Sequence, residues 1–175
     1  AAVPPASRSI TTASPSRSKW RCRVGEAIRQ GDIPGVQLRR RQELPVGIDE
    51  AWRWLTSGEL IARWLAAEAT AVAGPEGSLS LAGLDERGRP FREEAATLAW
   101  EPPGRWMVSF LRLEAGWGAT TRLTFELARR PAGCELSVLQ QGFEHLPLSE
   151  CLTVWEAYRK RWREALERLA QALSS

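Results

Sequence analysis

The sequence contains few of the residues that build covalent or metal-linked frameworks. It has three cysteines, Cys22, Cys134 and Cys151, and a single histidine, His145. An odd number of widely spaced thiols does not describe a disulfide framework, and one histidine with scattered cysteines matches no zinc-ligand spacing. We therefore expect a cytoplasmic protein that needs neither a metal nor another cofactor.

Long apolar runs are also missing, and so is a basic face. No run approaches the ~18 apolar residues of a transmembrane helix, so we expect no membrane span. The net charge of +3 is unevenly distributed: residues 1–35 hold six basic and two acidic side chains, whereas residues 36–175 hold 18 basic and 19 acidic ones. Because the basic excess does not come from the folded part, we expect no nucleic-acid partner.

The composition is that of one folded domain with a tail. Hydrophobic residues make up 43% and charged residues 26% of the 175 residues, which suits a single globular core. Residues 1–19 are rich in Ser, Thr, Pro, Ala and Arg without apolar periodicity, a composition that does not order itself. We predict that residues 1–35 form a disordered basic tail and that residues 36–175 form the domain.

The segment Ser149 to Ala172 shows the periodicity of one long amphipathic helix. At 100° per residue one side is apolar, aromatic first and aliphatic later, and it comprises Leu148, Cys151, Trp155, Tyr158, Trp162, Leu166, Leu169 and Leu173. The opposite side comprises Thr153, Lys160, Arg161, Glu164, Glu167, Arg168 and Gln171. A helix of roughly 37 Å needs an equally long apolar surface to pack on.

The rest of the chain supplies strands for that surface. Alternation predicts a first strand over Val36 to Leu44, and Asp49 and Ser57 are placed as N-caps of two short helices. From Ala66 to Gln141, turn residues separate five or six further strands. The fold class is therefore α+β: a curved antiparallel sheet of six to seven strands wrapped around a long C-terminal helix, with two short helices after the first strand, which is the helix-grip fold.

Several segments carry a family resemblance in their order and spacing. They read ELPVGIDEAWRWLTSGELIARWL, LAWEPPGRW, TRLTFELARRPAGCELSV, QQGF and VWEAYRKRWREALERLAQAL. From about Val36 to Leu173 the chain resembles the SRPBCC superfamily (START and Bet v 1-like), in the branch named for the C-terminal domain of the activator of Hsp90 ATPase. The resemblance implies a helix-grip fold with an internal cavity, a scaffold that hosts many activities.

The resemblance also shows where this chain departs from its family. Gln140 stands where the family often has a histidine, and Trp54 stands near a position where the family has a small residue. The N-terminal Hsp90-binding domain of the eukaryotic activators has no counterpart in the sequence. The resemblance therefore does not favour a chaperone partner, although it does not exclude one.

Strand alternation and the helix stripe together predict the side chains that face the cavity. They are Trp64, Leu98, Trp100, Val108, Phe110, Phe125, Val138, Gln140, Trp155, Tyr158 and Trp162. Such aromatic residues either line a pocket for a hydrophobic or aromatic small molecule or fill the core completely. An inward Gln140 then needs a ligand, a water or a protein partner, because a buried unpaired polar group costs about 1–3 kcal/mol.

Binding of such a molecule is the leading hypothesis, and two other functions stay open. A cyclase- or hydratase-type enzyme needs an acid or base in the cavity; Glu94, Tyr158 and His145 are the candidates, with Glu94 facing inward only if its strand has no bulge. No residue is assigned as catalytic. A protein-interaction module would use exposed aromatic side chains such as Trp54 and Trp117, through which a homodimer could also form.

Overall fold

The computed structural model describes residues 31–85, 87–113 and 120–175. Within them one antiparallel sheet contains seven strands, which confirms the predicted six to seven. The strands are β1 (Gln37–Leu44), β2 (Glu68–Val72), β3 (Ser78–Leu84), β4 (Pro90–Glu101), β5 (Arg105–Arg112), β6 (Thr121–Arg130) and β7 (Gly133–Gln141). Trp117 lies outside the described residues.

Strands β2 to β7 follow one another as a meander, and β1 pairs with the last of them at one edge of the sheet. Their order in the sheet is β1-β7-β6-β5-β4-β3-β2. The hairpin between β6 and β7 has no room for a side chain at Gly133, which has φ +145°, because a Cβ there would lie 2.2 Å from the carbonyl oxygen of Leu44. This close approach lets β1 pair with β7 along its whole length, from Gln37 opposite Gln141 to Leu44 opposite Cys134.

Two short helices follow β1, as predicted. Helix α1 covers Ile48–Thr56 and helix α2 covers Gly58–Ile61. Ser57 is the N-cap of α2, although its side chain makes no capping hydrogen bond. The prediction of Asp49 as a cap is wrong, because the N-cap of α1 is Gly47 and Asp49 lies in the first helical turn. There its negative charge interacts favourably with the positive end of the helix dipole.

The C-terminal helix, α3, covers Cys151–Leu173 and lies against the sheet, where the indole Nε1 of Trp155 donates a 2.9 Å hydrogen bond to the carbonyl oxygen of Gln37. The predicted stripe is buried from Cys151 to Leu169, together with Ala165, which was not predicted, whereas Leu173 is only half-buried. Leu148 does not belong to the stripe, because it precedes the helix and is 91% exposed. Together these elements form the predicted α+β helix-grip fold.

Residues 31–35 belong to the segment that the sequence analysis assigned to the tail. The structure places them beside β1, with Ile33 bridged to Gln37 and with Asp32 only 2% exposed. The Asp32 carboxylate accepts hydrogen bonds from the backbone N–H of Arg39 at 2.8 Å and from Arg40 Nη1 at 2.9 and 3.0 Å. The remainder of the predicted tail, residues 1–30, lies outside the described residues.

Candidate functional site

A buried carboxylate connects the sheet to the C-terminal helix. Glu93 of β4 is 0% exposed. Its Oε1 accepts a hydrogen bond of 2.6 Å from the Tyr158 hydroxyl, and both of its oxygens lie 2.6 Å from Nη1 of Arg161. An ionised carboxylate is tolerated away from water only when it is paired and hydrogen-bonded in this way. Glu93, Tyr158 and Arg161 are named the buried triad below.

A β-bulge explains why Glu93, and not Glu94, faces inward. The register of β4 against β5 shifts between Thr97 and Ala99, so one extra residue separates the two halves of the strand. The expectation that Leu98 faces the cavity is therefore wrong, and Leu98 is 56% exposed on the outer face. Glu94 lies on that outer face too, where it pairs with Arg92 at 3.1 Å.

Burial and charge determine the protonation states within the triad. Burial, followed by the negative charge of Glu93, raises the pKa of Tyr158 well above its ordinary value, so its phenol stays protonated and donates to the carboxylate. Burial acts to lower the pKa of Arg161, but the charge of Glu93, the interaction with Tyr158 and the hydrogen bond to Glu93 together outweigh burial, so the pKa is raised. The phenol of Tyr158 is therefore neutral and the guanidinium of Arg161 positively charged.

A cleft of about 550 Å³ opens beside the triad, between α3, the loop after α2 and the ends of β3, β4 and β5. Its aromatic side chains are Trp64, Phe91 and Tyr158, and Leu65, Leu84 and several alanines extend the apolar surface. Its charged side chains are Arg63, Asp85, Arg112, Arg161, Glu164 and Arg168. The cleft thus combines an apolar wall with several cations.

The predicted site residues fall into four groups, one of which is Leu98 alone on the outer face. Trp64 and Tyr158 line the cleft. Trp100 is half-buried between Trp52 and Trp106, with ring centroids 5.0 and 5.7 Å away. The others, apart from Leu98, are buried in the core: Val108, Phe110, Phe125, Val138, Gln140, Trp155 and Trp162. Whether the buried ones contact a ligand stays a prediction.

The aromatic half of α3 packs directly on the sheet. The Trp162 ring lies 5.9 Å from that of Phe125 in an edge-to-face arrangement, and the Tyr158 ring lies 6.2 Å from Phe110 and 6.0 Å from Phe143. Contacts of this kind are those of a filled core. The cleft described above consequently lies to one side of these rings rather than among them.

Gln140 has protein partners for its buried amide. Its Nε2 donates to Thr121 Oγ1 at 3.0 Å, and its Oε1 accepts from Trp162 Nε1 at 2.8 Å. Of the three possibilities that the sequence left open, this structure therefore supplies the protein partner. The amide fixes the ring of Trp162 and the hydroxyl of Thr121 relative to each other.

Several residues noted in the sequence lie away from the cleft. The side chain of His145 is 67% exposed in a 3₁₀ turn, Phe143–His145. The prediction of an exposed Trp54 is wrong: it is 5% exposed, and its Nε1 donates to Glu50 Oε1 at 3.0 Å. Cys134 is buried as a core residue, and burial raises the pKa of its thiol.

Several residues of the site were not predicted from the sequence, among them Glu93, Phe91, Arg112 and Arg161. The inward orientation of Glu93 depends on the bulge, which no pattern of residues predicted. Arg161 was placed on the solvent side of the helix, but its side chain is 20% exposed and paired with Glu93. Because it follows Tyr158 by three residues, it lies at the boundary of the buried stripe, and this spacing was the available signal.

Among the described residues, none of the helices combines the length and apolarity needed to cross a membrane. In the same part of the chain, no three side chains among His, Cys, Asp and Glu come together as metal ligands.

A curved antiparallel sheet that grips a long C-terminal helix, with a cleft beside the helix, defines the helix-grip class. The family model described as "Activator of Hsp90 ATPase homolog 1-like protein" matches residues 45–174. The chain therefore belongs to that family, within the SRPBCC superfamily, as the resemblance implied. No significant match is found among curated protein sequences.

Solved structures share the fold at low sequence identity. A Rhodobacter sphaeroides protein is 24% identical, with a TM-score of 0.63, over 80% of this chain and 93% of its own. CalU16 from Micromonospora echinospora is 20% identical, with a TM-score of 0.58, over 79% of this chain and 74% of its own. DynU16, from the dynemicin biosynthetic locus, is 19% identical, with a TM-score of 0.64, over 79% of this chain and 47% of its own.

Proposed function

We propose that this protein binds a hydrophobic or aromatic small molecule in the cleft between α3 and the sheet. The observation that carries the proposal is the cleft itself. Its volume of about 550 Å³ lies within the range of small-molecule sites. Its lining combines the largely covered rings of Trp64, Phe91 and Tyr158 with aliphatic and charged side chains. The place of DynU16 in the dynemicin biosynthetic locus fits a family member that handles small molecules.

The described geometry favours binding over catalysis. Of the three candidate acids and bases, Glu94 lies on the outer face of the sheet and His145 lies in an exposed turn away from the cleft. Tyr158 lines the cleft, but its hydroxyl proton is donated to Glu93 and its raised pKa makes the phenol a poor acid. Of these three candidates, only Tyr158 is placed in the cleft, where a cyclase- or hydratase-type activity would need it.

A blocking substitution on α3 tests the location of the ligand. Ala157 lines the cleft, so Ala157→Phe should fill part of it. Thr153 is an exposed residue one turn earlier on the same helix, which makes Thr153→Phe the matched control. The probe is 1-anilinonaphthalene, a neutral aromatic dye whose fluorescence rises in an apolar site.

We expect saturable binding to the unmodified protein and to Thr153→Phe. Ala157→Phe should bind at least about ten-fold more weakly, the factor that corresponds to about 1.4 kcal/mol of lost contact. A dye that shows no saturable binding to the unmodified protein, or one that binds Ala157→Phe unchanged, would contradict the proposal. Circular dichroism of both variants establishes that the fold is retained.

A further inference from the structure

Two arginines lie together at the inner end of the cleft. The guanidinium carbons of Arg112 and Arg161 lie 5.3 and 4.8 Å from the centre of the Phe91 ring. Their side chains are only 23% and 20% exposed, and both line the cleft together with Phe91. The inner wall therefore holds two largely desolvated cations on one aromatic ring, an arrangement that aromatic quadrupoles favour.

The neighbouring carboxylates satisfy these cations incompletely. Glu93 is shared between Arg161 and Tyr158. Asp85 accepts a 2.9 Å hydrogen bond from the backbone N–H of Arg89 and a 3.0 Å bond from its Nε, and the pKa of Asp85 falls to about 2, chiefly through the backbone bond. Nη2 of Arg112 lies 3.6 Å from Asp85 Oδ2, which is beyond a normal hydrogen bond.

Arg161 has a donor left over as well. Only its Nη1 reaches Glu93, and among the described residues its buried Nη2 has no hydrogen-bond partner. A buried donor without an acceptor is unfavourable. An oxyanion entering the inner end of the cleft would be attracted by both guanidinium groups, and a small movement of Arg161 would give this nitrogen an acceptor.

Two further arginines give the lining of the cleft an excess of positive charge. Arg63 and Arg168 line the cleft as well, so that its lining includes four arginines and two carboxylates, Asp85 and Glu164. Arg168 is held in place by a 2.9 Å hydrogen bond from its Nε to the carbonyl oxygen of Trp64. The excess of positive charge attracts anions from solution, while the apolar wall gives an uncharged body a surface to contact.

We infer that the ligand is an organic anion, an apolar or aromatic molecule whose carboxylate or similar oxyanion group lies against Arg112 and Arg161. The inference rests on the proposed function and specifies the class of ligand. Planar guanidinium groups offer paired donors that match such oxygens. The low local dielectric strengthens the interaction relative to the same contact in water.

A pair of dyes that differ by one charge tests the inference. The neutral probe is again 1-anilinonaphthalene, and the anionic probe is 8-anilinonaphthalene-1-sulfonate, which has the same aromatic body. We expect the sulfonate to bind about ten-fold more tightly, the lower end for hydrogen bonds to charged groups, with the difference shrinking as salt is added. Equal affinities, or tighter binding of the neutral dye, would overturn the inference and leave the proposed function standing. Failure of both dyes to saturate would contradict the proposed function itself.

Charge-matched variants locate the oxyanion group. Arg112→Gln should weaken binding of the sulfonate about ten-fold and leave the neutral dye within about two-fold. Arg163→Gln removes the same charge from a side chain that is 62% exposed, and it should change the affinity for either dye less than about two-fold. Equal losses in the two variants would indicate general attraction by net charge and would overturn the assignment to the inner end.

A second substitution at the same position distinguishes weaker binding caused by the loss of charge from weaker binding caused by a failure to fold. Arg112→Lys keeps the positive charge but not the planar donors, so it should keep a preference for the sulfonate at reduced affinity. If Arg112→Gln fails to fold, which circular dichroism would show, this variant alone decides the assignment. A folded Arg112→Lys protein without any preference for the sulfonate would contradict recognition of the anion at Arg112.

Discussion

The hydroxyl of Tyr158 lies 2.6 Å from Oε1 of Glu93, and this hydrogen bond joins the C-terminal helix to the fourth strand across 65 residues of chain. Arg161, one turn further along the helix, adds an ion pair to the same carboxylate. Three polar groups are thus buried between helix and sheet, at the side of the core where the cleft opens. Their arrangement fixes the position of the helix flank that forms one wall of the cleft.

Removing the charge of Glu93 should strongly destabilise the fold. In Glu93→Gln the shape is kept, but the Arg161 guanidinium is left without its counter-charge at a largely buried position. We expect a loss of about 3 kcal/mol in the free energy of unfolding, measured by urea denaturation, because breaking a buried ion pair from one side has this cost. Glu94→Gln is the control; it changes the neighbouring residue, whose ion pair is exposed, and should cost less than about 1 kcal/mol.

The double variant Glu93→Leu/Arg161→Met sharpens this prediction. Replacing both partners by apolar side chains removes the uncompensated charge, so the double variant should be more stable than Glu93→Gln. If the double variant were at least as unstable as Glu93→Gln, the pair of Glu93 and Arg161 would contribute more to the free energy of unfolding than the neutralisation of each other's charge.

The raised pKa of Tyr158 predicts a loss of stability at alkaline pH. A tyrosine in the unfolded chain loses its proton near pH 10, whereas the folded protein keeps the proton on Tyr158 to higher pH. Unfolding then releases a proton. The contribution of Tyr158 to the free energy of unfolding is therefore complete below about pH 10 and is lost as the pH rises beyond it. The expected slope from this group approaches about 1.4 kcal/mol per pH unit.

The composition makes this prediction easy to read. Tyr158 is the only tyrosine in the chain, so phenolate absorbance reports this residue alone and should appear together with unfolding rather than before it. Tyr158→Phe should unfold with a shallower alkaline slope. Because the pKa of Cys134 is also raised, part of the slope remains in the variant. Titration of Tyr158 near pH 10 in the folded protein would contradict the assignment.

The sequence predicted the architecture well because apolar periodicity determines it. The stripe through Trp155, Tyr158 and Trp162 identified both the long helix and the face that it buries. Alternation likewise placed Val108 and Phe125 on the inner face of the sheet. The burial of these residues does not depend on which strands lie beside them, so the apolar pattern along their own segments was sufficient to predict it.

The site was harder to predict because it depends on register and on boundary positions. One extra residue at the bulge exchanged the faces of Glu93 and Glu94, and no local rule located that residue in a run of small and apolar side chains. The cleft also combines Trp64, Phe91 and Arg112, which come from three separate segments. They come together because of the way the strands pair across the sheet. The periodicity along a single segment does not predict that pairing.

The buried amide of Gln140 offers a second test of the core. In Gln140→Leu the indole N–H of Trp162 and the hydroxyl of Thr121 lose this partner, while the apolar volume is kept. We expect a loss of about 1–3 kcal/mol in the free energy of unfolding, the range for a buried group left unsatisfied. In a double-mutant cycle with Trp162→Phe, the second substitution should recover part of the loss, because it removes the unpaired donor. Strictly additive losses would show that the hydrogen bond between Gln140 and Trp162 contributes nothing.

Asp32 should hold the segment before β1 against the helix. Its carboxylate is 0% exposed, pairs with Arg40 at 2.9 Å and lies 3.8 Å from Nε of Arg159 on α3. Asn in this position keeps one acceptor oxygen but leaves the largely buried Arg40 without its counter-charge, while Arg159 keeps only Glu156 at 3.6 Å. We therefore expect Asp32→Asn to lower the free energy of unfolding by about 3 kcal/mol. The same change at Asp49, an exposed residue of α1, should cost less than about 0.5 kcal/mol.

Hydrogen exchange separates a local effect of Asp32→Asn from a global one. The backbone N–H groups of Ile33 and Gln37 are hydrogen-bonded within this segment, to the carbonyl oxygens of Gln37 and Ile33 respectively. If Asp32 acts as a clamp on the segment, these two amides should lose more protection in the variant than the amides of β6, an interior strand of the sheet. Uniform loss of protection in both places would mean that the Asp32 ion pair stabilises the whole domain, because opening of the segment would then require global unfolding.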